Sequence, residues 1–239
     1  LNLKVTNRTI IIGLLKRNIL MTVLHYETVK PYLKEILDML MAEELFNPFR
    51  LVGGTNLSLR FGHRISEDID LFTDVEYGSL NYRNFESYLR ARFPYYESTD
   101  TTSVVGNGRS YYIGLSADNY IKLDLMYTDS FINEIEIIDN IRMASLSDII
   151  AMKMNVVSRG GRKKDFWDLH LLLARFPLSE MFAFHEKRHP WEHEPKELLR
   201  LFTDFSVADE FPDPICLLGK NWDDIKLDLI EIADEYVEK

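Results

Sequence analysis

The stretch GGTNLSL at residues 53–59, followed by RISEDID at residues 64–70, decides the fold. The glycine pair ends a short apolar segment and precedes residues that favour a helix, so it predicts a strand, a tight turn and a helix in that order. In the second segment apolar and acidic residues alternate, which predicts a half-buried strand over residues 65–72. The sequence therefore predicts a strand–turn–helix–strand unit within a mixed α/β layer.

Two features of this unit point to phosphate and metal chemistry. A glycine turn that leads into a helix N-terminus exposes backbone N–H groups that can hold phosphate, and Thr55 adds a hydroxyl there. Asp68 and Asp70 lie two residues apart on the predicted strand, so both carboxylates point to the same face. Neighbouring carboxylates repel each other, and a divalent cation between them removes the repulsion. Mg²⁺ prefers such oxygen ligands together with substrate phosphates, so the pair predicts a magnesium site.

A third carboxylate, that of Asp124, completes the predicted site. It lies on the polar face of an otherwise apolar strand predicted over Tyr120–Tyr127, where a buried acid is costly without a cation. Lys122 and Met126 share that face. If this strand pairs with the strand of Asp68 and Asp70, the three carboxylates converge. If it lies at the edge of the sheet, Asp124 faces solvent instead.

The remaining residues divide near residue 145 into a mixed half and a helical half. Before that point the apolar spacing predicts a helix over Thr28–Glu44, with Thr28 as its N-cap, and a helix over residues 81–93. A β-meander follows, with turns predicted at Gly106–Gly108 and at Ala117–Asn119 because glycine and asparagine tolerate positive φ.

The helical half begins at Ser145, which forms a capping-box pattern with Asp148. The pair Gly160-Gly161 ends this helix, and a leucine-rich helix is predicted over Lys163–Ala174. Shorter helices, punctuated by prolines, make up the remainder.

Two further patterns in this half have open interpretations. The basic loop Arg159–Lys164 either steers an RNA or a triphosphate toward a nearby site or is a solvated connection. His185, His189 and His193 are spaced by four residues, but Pro190 opposes the continuous helix that would align them as metal ligands.

Composition excludes several classes of protein. Among the 239 residues, 46% are hydrophobic and 28% are charged, which excludes disordered and fibrous chains. No apolar run approaches the roughly 18 residues that cross a bilayer. The single cysteine, Cys216, excludes an internal disulfide framework and predicts a reducing cytoplasm. The formal net charge is −10, and residues 204–239 contribute −8 of it, because they hold eleven acids and three bases.

The N-terminal segment predicts no secretory signal peptide. Its apolar run, Ile10–Leu15, is six residues long and ends at Lys16, which is too short for a signal sequence. Met21 stands just before the first predicted helix, so we interpret residues 1–26 as an extension that is in part foreign to the natural protein.

Motifs further along the chain extend the pattern. Residues 148–153 read DIIAMK, Arg159 follows, and residues 164–169 read KDFWDL. Together with Gly-Gly-Thr-x-Leu and Arg-x-Ser-x-Asp-Ile-Asp-Leu-Phe, these motifs resemble those of the DNA polymerase β-like nucleotidyltransferase superfamily. More narrowly, they are similar to the AbiEii/AbiGii toxin family. The resemblance covers roughly residues 30–175, with the motifs in the family's order.

This resemblance implies an α+β fold, in which a nucleotidyltransferase-type mixed β-sheet flanked by helices is followed by a C-terminal helical domain. The expected domains are the extension over residues 1–26, a nucleotidyltransferase α/β domain over residues 27–144 and a helical domain over residues 145–239 that completes the active site.

The resemblance also implies roles for individual residues. Those implied to bind the nucleotide are Gly53, Gly54, Thr55, Arg64, Ser66 and Lys153. Those implied to be catalytic are Asp68, Asp70, Asp124, Lys153 and Asp165, of which the first three would bind Mg²⁺.

The residues alone leave some of these roles open. Lys153 is either a phosphate ligand or a solvated helix lysine, and Arg64 either contacts phosphate or pairs with a nearby acid. Asp165 and Asp168 share one helix face, from which Asp165 can orient Lys153 or a group of the nucleotide.

The implied activity is attack of an acceptor hydroxyl on the α-phosphorus of an NTP, with two Mg²⁺ ions as cofactors and pyrophosphate leaving. The acceptor would be a tRNA or other RNA end, or a protein side chain. The implied role is that of a bacterial toxin in a toxin–antitoxin or phage-defence system, with a cognate antitoxin as partner. Two alternatives stay open: kinase-like γ-phosphoryl transfer from the same site, and a catalytically idle nucleotide-binding module.

Overall fold

The computed structural model describes residues 23–98 and 106–237. These residues divide into two compact units, Leu24–Ile149 and the residues from Ile150 onward. Most of the predicted N-terminal extension, residues 1–22, lies outside the described residues, and the predicted domain boundary between residues 144 and 145 stays a prediction. Within the described ranges, the helices are too short or too polar to cross a bilayer.

The first unit combines three helices with a sheet. The helices are α1 (Pro31–Ala42), α2 (Gly53–Phe61) and α3 (Tyr82–Arg92). The strands are β1 (Arg50–Leu51), β2 (Asp68–Thr73), β3 (Tyr95–Ser98), β4 (Gly108–Ser116), β5 (Asn119–Tyr127), β6 (Glu136–Ile138) and β7 (Ile141–Met143).

These strands form a seven-stranded sheet in the order β3-β4-β5-β2-β1-β7-β6. The pairs β2/β5 and β1/β7 are parallel, and the other neighbouring pairs are antiparallel. A mixed sheet with helices packed on it is the predicted fold class, which is therefore confirmed.

The core of the first unit lies against one face of this sheet. Alternate residues of β2 and β5 are buried there, among them Ile69 and Leu123. Leu37 of α1 and Phe85 of α3 belong to the same buried cluster. Because side chains alternate along a strand, the residues between the buried ones lie on the opposite face of the sheet. Those residues include the predicted metal ligands.

Two predicted boundaries in this unit are wrong. Helix α1 begins at Pro31, and Thr28 does not cap it, because the Thr28 hydroxyl donates a hydrogen bond to the carbonyl of His25 at 2.7 Å. Proline is favoured at the first helical position, where its missing N–H has no partner to lose. Strand β2 begins at Asp68 and not at Ile65, because the Ser66 N–H donates to the carbonyl of Thr28 outside the sheet.

The turns were predicted with mixed success. The turn between β4 and β5 is confirmed, with Ser116 paired to Asn119 across it. The turn predicted at Gly106–Gly108 adjoins residues 99–105, which the structure does not describe, and it stays a prediction. The hairpin of β6 and β7 was not predicted. Its turn residues, Asp139 and Asn140, both have positive φ, at 49° and 63°, as a type I′ turn requires.

The second unit is helical in the residues that the structure describes. Helix α4 (Leu146–Val157) runs from the first unit into it, followed by α5 (Lys163–Leu173), α6 (Leu178–Arg188), α7 (Pro195–Phe202) and α8 (Trp222–Val237). The predicted start of α4 is confirmed, since the Ser145 hydroxyl oxygen accepts a hydrogen bond from the N–H of Asp148. The indole of Trp222 stacks on that of Trp167 at 5.8 Å between ring centroids. Aromatic contacts of this kind hold α8 against α5.

Three histidines meet in the second unit, although α6 ends before the second of them. Nδ1 of the buried His185 lies 3.0 Å from Nδ1 of His193, and the rings of His185 and His189 are 5.2 Å apart. The pKa of His185 is lowered to about 4, mainly by burial and further by His189, His193 and Arg159, while Glu192 opposes the shift. The folded chain therefore holds His185 in its neutral form.

We expect this histidine to make the protein sensitive to acid. Between pH 6.5 and about 4 the unfolded chain protonates His185 and the folded chain does not, so the free energy of unfolding falls as the pH falls. The loss attributable to this group is up to roughly 3 kcal/mol. Urea denaturation of the wild type and of His185→Gln at several pH values measures it. The variant should lose this part of the pH dependence, and His25→Gln, at an exposed position, should keep it. An unchanged profile for His185→Gln would contradict the assignment.

Candidate active site

The glycine turn between β1 and α2 is closely enclosed by charged side chains. Gly53 has a φ of +68°, and a Cβ on it would overlap Oδ2 of Asp70. A Cβ on Gly54 would overlap the guanidinium of Arg64. Gly53 is favoured by its positive φ, and at either position a side chain would have to displace the charged group beside it. The predicted phosphate-binding turn lies between a carboxylate and a guanidinium.

Two buried hydroxyls fix the start of α2 against the start of β2. The Thr55 hydroxyl donates to the carbonyl of Asp68 at 2.5 Å, and since it has one proton it accepts from the Ser66 hydroxyl at 2.8 Å. Thr55 is 1% exposed. The structure thus gives Thr55 and Ser66 a role in holding the turn in place, and their contact with a nucleotide stays a prediction.

Arg64 is also buried, and it is positioned by the backbone. Its Nη1 donates to the carbonyl of Ile65 at 3.0 Å, and its Nη2 lies against Gly54. This position fits a cation that faces a phosphate on the turn, which is one of the two interpretations that the sequence leaves open for Arg64.

The three predicted metal ligands lie on adjacent strands. In the parallel pair of β2 and β5, Asp70 is directly opposite Asp124, and Asp68 is opposite Lys122. Strand β5 is therefore an interior strand, and Asp124 is not on an edge. Four charged side chains share one face of the two strands, three of them acidic.

Lys122 stands within this group of carboxylates. Its Nζ lies 2.5 Å from Oδ2 of Asp124. Burial is the largest single influence and lowers the pKa of Lys122, but Asp124, Asp70 and Asp68 together outweigh it, so the net shift of the pKa is upward. Lys122 was not predicted as a site residue, although the alternation places it on the face of Asp124.

The other oxygen of Asp124 has a different environment. Oδ1 is buried and makes no hydrogen bond with any residue that the structure describes. A buried carboxylate oxygen without a partner is costly, and a cation is the partner that fits it. The aspartate oxygens are also the ligands that Mg²⁺ prefers. As placed, however, no three acidic, histidine or cysteine side chains within the described ranges form a ready metal site. The carboxylate oxygens are ligands that fit Mg²⁺, and the ammonium of Lys122 lies beside them.

A second cluster lies in the second unit. Nζ of Lys153 is 2.6 Å from Oδ1 of Asp165 and 2.7 Å from Oδ2 of Asp168, and all three side chains are buried. The N–H of Arg162 donates to the other oxygen of Asp165. Burial is the largest single influence and raises the pKa of Asp165, but Lys153 and the N–H of Arg162 together hold the pKa below its usual range. Lys153 is therefore not a solvated helix lysine, and Asp168, which was not predicted as a site residue, holds it as closely as Asp165 does.

The basic loop that follows α4 is partly neutralised by acids of the same unit. Arg159 pairs with Glu192 at 2.5 Å, and Lys163 pairs with Asp213 at 2.7 Å. Its predicted function in steering RNA or triphosphate stays a prediction.

The structure thus assembles the predicted residues into two groups. The first unit holds Gly53, Gly54, Thr55, Arg64, Ser66, Asp68, Asp70 and Asp124. The second unit holds Lys153 and Asp165.

The chain is similar to several known proteins. Residues 35–235 match the family described as nucleotidyl transferase AbiEii toxin, type IV TA system, which confirms the resemblance predicted from the motifs. An uncharacterized protein of Aquifex aeolicus is 31% identical over 161 residues, which are 65% of this chain and 73% of that protein.

Two crystal structures from Helicobacter pylori share the fold. JHP933 has a TM-score of 0.54 and 21% identity, over 84% of this chain and 88% of its own. A second protein, described as a candidate nucleotidyltransferase, has a TM-score of 0.55 and 20% identity, over 85% of this chain and 92% of its own.

The substitution Gly53→Ala tests how closely the backbone of the turn approaches the carboxylate of Asp70. Gly78→Ala is the matched control, because Gly78 has a φ of +81° with no heavy atom within 4 Å of a Cβ. The control should lose about 1–2 kcal/mol of unfolding free energy, for conformation alone. Gly53→Ala should lose more, because it also displaces the Asp70 carboxylate, and it should lose nucleotidyl transfer. Urea denaturation and a transfer assay measure both effects. Equal losses for the two variants would show that Asp70 is not in contact with the turn.

Removal of the buried ammonium should be strongly destabilising. In Lys153→Met, the carboxylates of Asp165 and Asp168 stay buried without a counter-charge, at an expected loss of about 3–5 kcal/mol of unfolding free energy. Asp168→Asn in the same chain should recover part of that loss. The control is Lys187→Met, at an exposed position of α6. A loss no larger than that of the control would contradict the cluster.

Proposed function

We propose that this chain, which belongs to the AbiEii nucleotidyl transferase toxin family, catalyses Mg²⁺-dependent transfer of a nucleoside monophosphate from an NTP to an acceptor hydroxyl. The family assignment makes the chain a nucleotidyltransferase, and the metal, the site residues and the acceptor are what we propose. In this reaction the acceptor oxygen attacks the α-phosphorus, the new P–O bond forms, and the bond to the β-phosphate oxygen breaks to release pyrophosphate.

The observation that carries the proposal is the position of the glycine turn against the aspartates. The turn backbone at Gly53 lies against Asp70, and Asp70 is opposite Asp124 on the next strand. A phosphate held by the N–H groups of this turn would therefore face carboxylates. The two kinds of anion can be neighbours only if cations lie between them, which is the arrangement that Mg²⁺-dependent phosphoryl chemistry uses.

Each group has a proposed task. Asp68, Asp70 and Asp124 would hold Mg²⁺, two ions by the family resemblance, and the metal when bound neutralises charge on the phosphate oxygens. The turn N–H groups and Arg64 hold the triphosphate by hydrogen bonds. That Lys153 meets the triphosphate is implied by the family resemblance alone; within its own unit Asp165 positions Lys153, as the 2.6 Å contact between them supports.

The wider role follows from the family and is also a proposal. We propose that the chain acts as the toxin of a toxin–antitoxin or phage-defence system in the bacterial cytoplasm, and that a cognate antitoxin opposes it. The acceptor is an RNA end, such as that of a tRNA, or a hydroxyl side chain of a protein. Both present a hydroxyl to the same α-phosphorus, so one experiment has to distinguish them.

That experiment uses NTPs labelled at the α- or the γ-phosphate. The purified chain is incubated with each labelled NTP, Mg²⁺, and total cellular RNA and protein, and the labelled product is then digested with ribonuclease or protease. Label retained from the α position supports nucleotidyl transfer, and the digestion identifies the acceptor. Label retained only from the γ position would show a kinase-like transfer. If no label is transferred, and Asp70→Ala changes neither nucleotide binding nor toxicity on expression, the chain is a binding module.

Loss of either aspartate of β2 should abolish transfer without loss of the fold. Asp68→Asn and Asp70→Asn keep the shape of the side chain and remove the charge that holds Mg²⁺, so we expect turnover to fall by at least about 100-fold. Circular dichroism should show an unchanged fold. Asp38→Asn, at an exposed position of α1, is the control and should keep its activity. Near-normal turnover in either β2 variant would refute the metal assignment.

A further inference from the structure

The ammonium of Lys122 lies beside one of the three proposed metal ligands. Its ammonium forms an ion pair with Asp124 at 2.5 Å, and it lies opposite Asp68 in the pairing of β2 with β5. Asp68 and Asp70 also interact with it electrostatically. The group of three carboxylates and one ammonium has a formal charge of −2. One cation of the protein itself thus already offsets part of the repulsion that a metal would remove.

The contact is built into the sheet and does not depend on a flexible surface chain. Lys122 and Asp124 are two residues apart on an interior strand, so their side chains share one face of the sheet. A change in the pairing of this strand with its neighbours would leave the two residues side by side. Their side chains are 32% and 15% exposed, respectively. A partly buried pair of this kind is screened less by solvent than a surface pair, so it opposes a competing cation more strongly.

We propose that Lys122 is an internal counter-cation that competes with the metal for Asp124, and that it thereby sets the metal affinity of the site. The inference rests on the proposed function. A divalent ion that needs the carboxylate oxygen paired with Lys122 would have to displace the ammonium from Asp124. The buried Oδ1 of Asp124, which makes no hydrogen bond with any described residue, is the oxygen left available to a cation while the pair is closed. Lys122 is thus a positioning residue, since it acts through Asp124.

Two consequences distinguish this role from that of a merely structural lysine. Removal of the ammonium should tighten metal binding, because the competing cation is gone. It should also destabilise the metal-free protein, because Asp124 then loses its counter-charge while it lies beside Asp70. A lysine that only fills space or contributes to solubility would not link stability and metal affinity in opposite directions.

The test titrates the full chain with Mn²⁺ alone, which accepts the same oxygen ligands as Mg²⁺. Free Mn²⁺ is followed by electron paramagnetic resonance, and Mg²⁺ is then added as a competitor. Lys122→Met should bind Mn²⁺ about tenfold more tightly than the wild type, the factor that corresponds to an ion pair of about 1.4 kcal/mol. Lys122→Arg keeps the charge and should bind with nearly the wild-type affinity. Lys34→Met, at a surface ion pair of α1, should change nothing.

Thermal denaturation gives the second readout. Without metal, Lys122→Met should unfold at a lower temperature than the wild type, and Mn²⁺ should raise its melting temperature by more than that of the wild type. Lys122→Gln, which is neutral but polar, is the substitute if the methionine variant does not fold without metal.

The outcomes separate this inference from the proposed function. If Mn²⁺ binds to the wild type but not to Asp70→Asn, and the Lys122 variants bind with unchanged or weaker affinity, the competition is refuted and the metal site stands. If Lys122→Met/Asp124→Asn still binds Mn²⁺ more tightly than Asp124→Asn alone, the competition does not act through Asp124, and the inference also fails. If Mn²⁺ binding is absent, or does not depend on Asp68 and Asp70, the proposed metal site itself is refuted.

Discussion

The parallel pairing of β2 with β5 is the constraint on which the rest of the site depends. Its register is fixed by apolar side chains, since Ile69 and Leu123 enter the core together on one face. A slip of one residue would move Asp70 into that core and expose leucines and isoleucines, so the hydrophobic effect holds the register firmly. The position of Asp70 opposite Asp124 is therefore set by residues that take no part in the chemistry. Like charges are placed side by side because the opposite face of the same strands is apolar.

The two charged clusters meet this electrostatic problem in different ways. In the first unit, the ammonium of Lys122 pairs with one oxygen of Asp124, and the other oxygen remains without a hydrogen-bond partner among the described residues. In the second unit, Lys153 is shared by two carboxylates, and the N–H of Arg162 takes the other oxygen of Asp165. The first arrangement leaves a carboxylate oxygen without a hydrogen bond and carries excess negative charge, which suits reversible binding of a cation. The second is nearly saturated, which suits a lysine that must be held in one orientation.

How much of this could be predicted depends on whether a feature is local. The alternation around Asp68 and Asp124 was enough to assign each aspartate to a polar face, because side-chain direction in a strand has a period of two. Pairing of the two strands was left open, because strands some fifty residues apart in sequence pair through tertiary packing. The hairpin of β6 and β7 was missed, since strands of three residues are too short to show alternation. Lys122 was seen on the correct face, but a lysine on a polar face is usually solvated, and its ion pair depends on the geometry of the sheet.

Most of the excess of acidic residues lies in the C-terminal part of the chain and not at the candidate active site. Residues 204–239 contribute −8 of the net −10, and several of their carboxylates are engaged within the second unit. Asp213 pairs with Lys163 of the basic loop, and Asp209 accepts from the indole N–H of Trp222. Asp213 thus offsets one positive charge of the loop, which would weaken the long-range attraction of a polyanion to it. Recognition of an RNA acceptor would then depend on short-range contacts with one particular end. For the same reason we expect the net charge of the chain to oppose broad binding along nucleic acid more than binding of one specific acceptor.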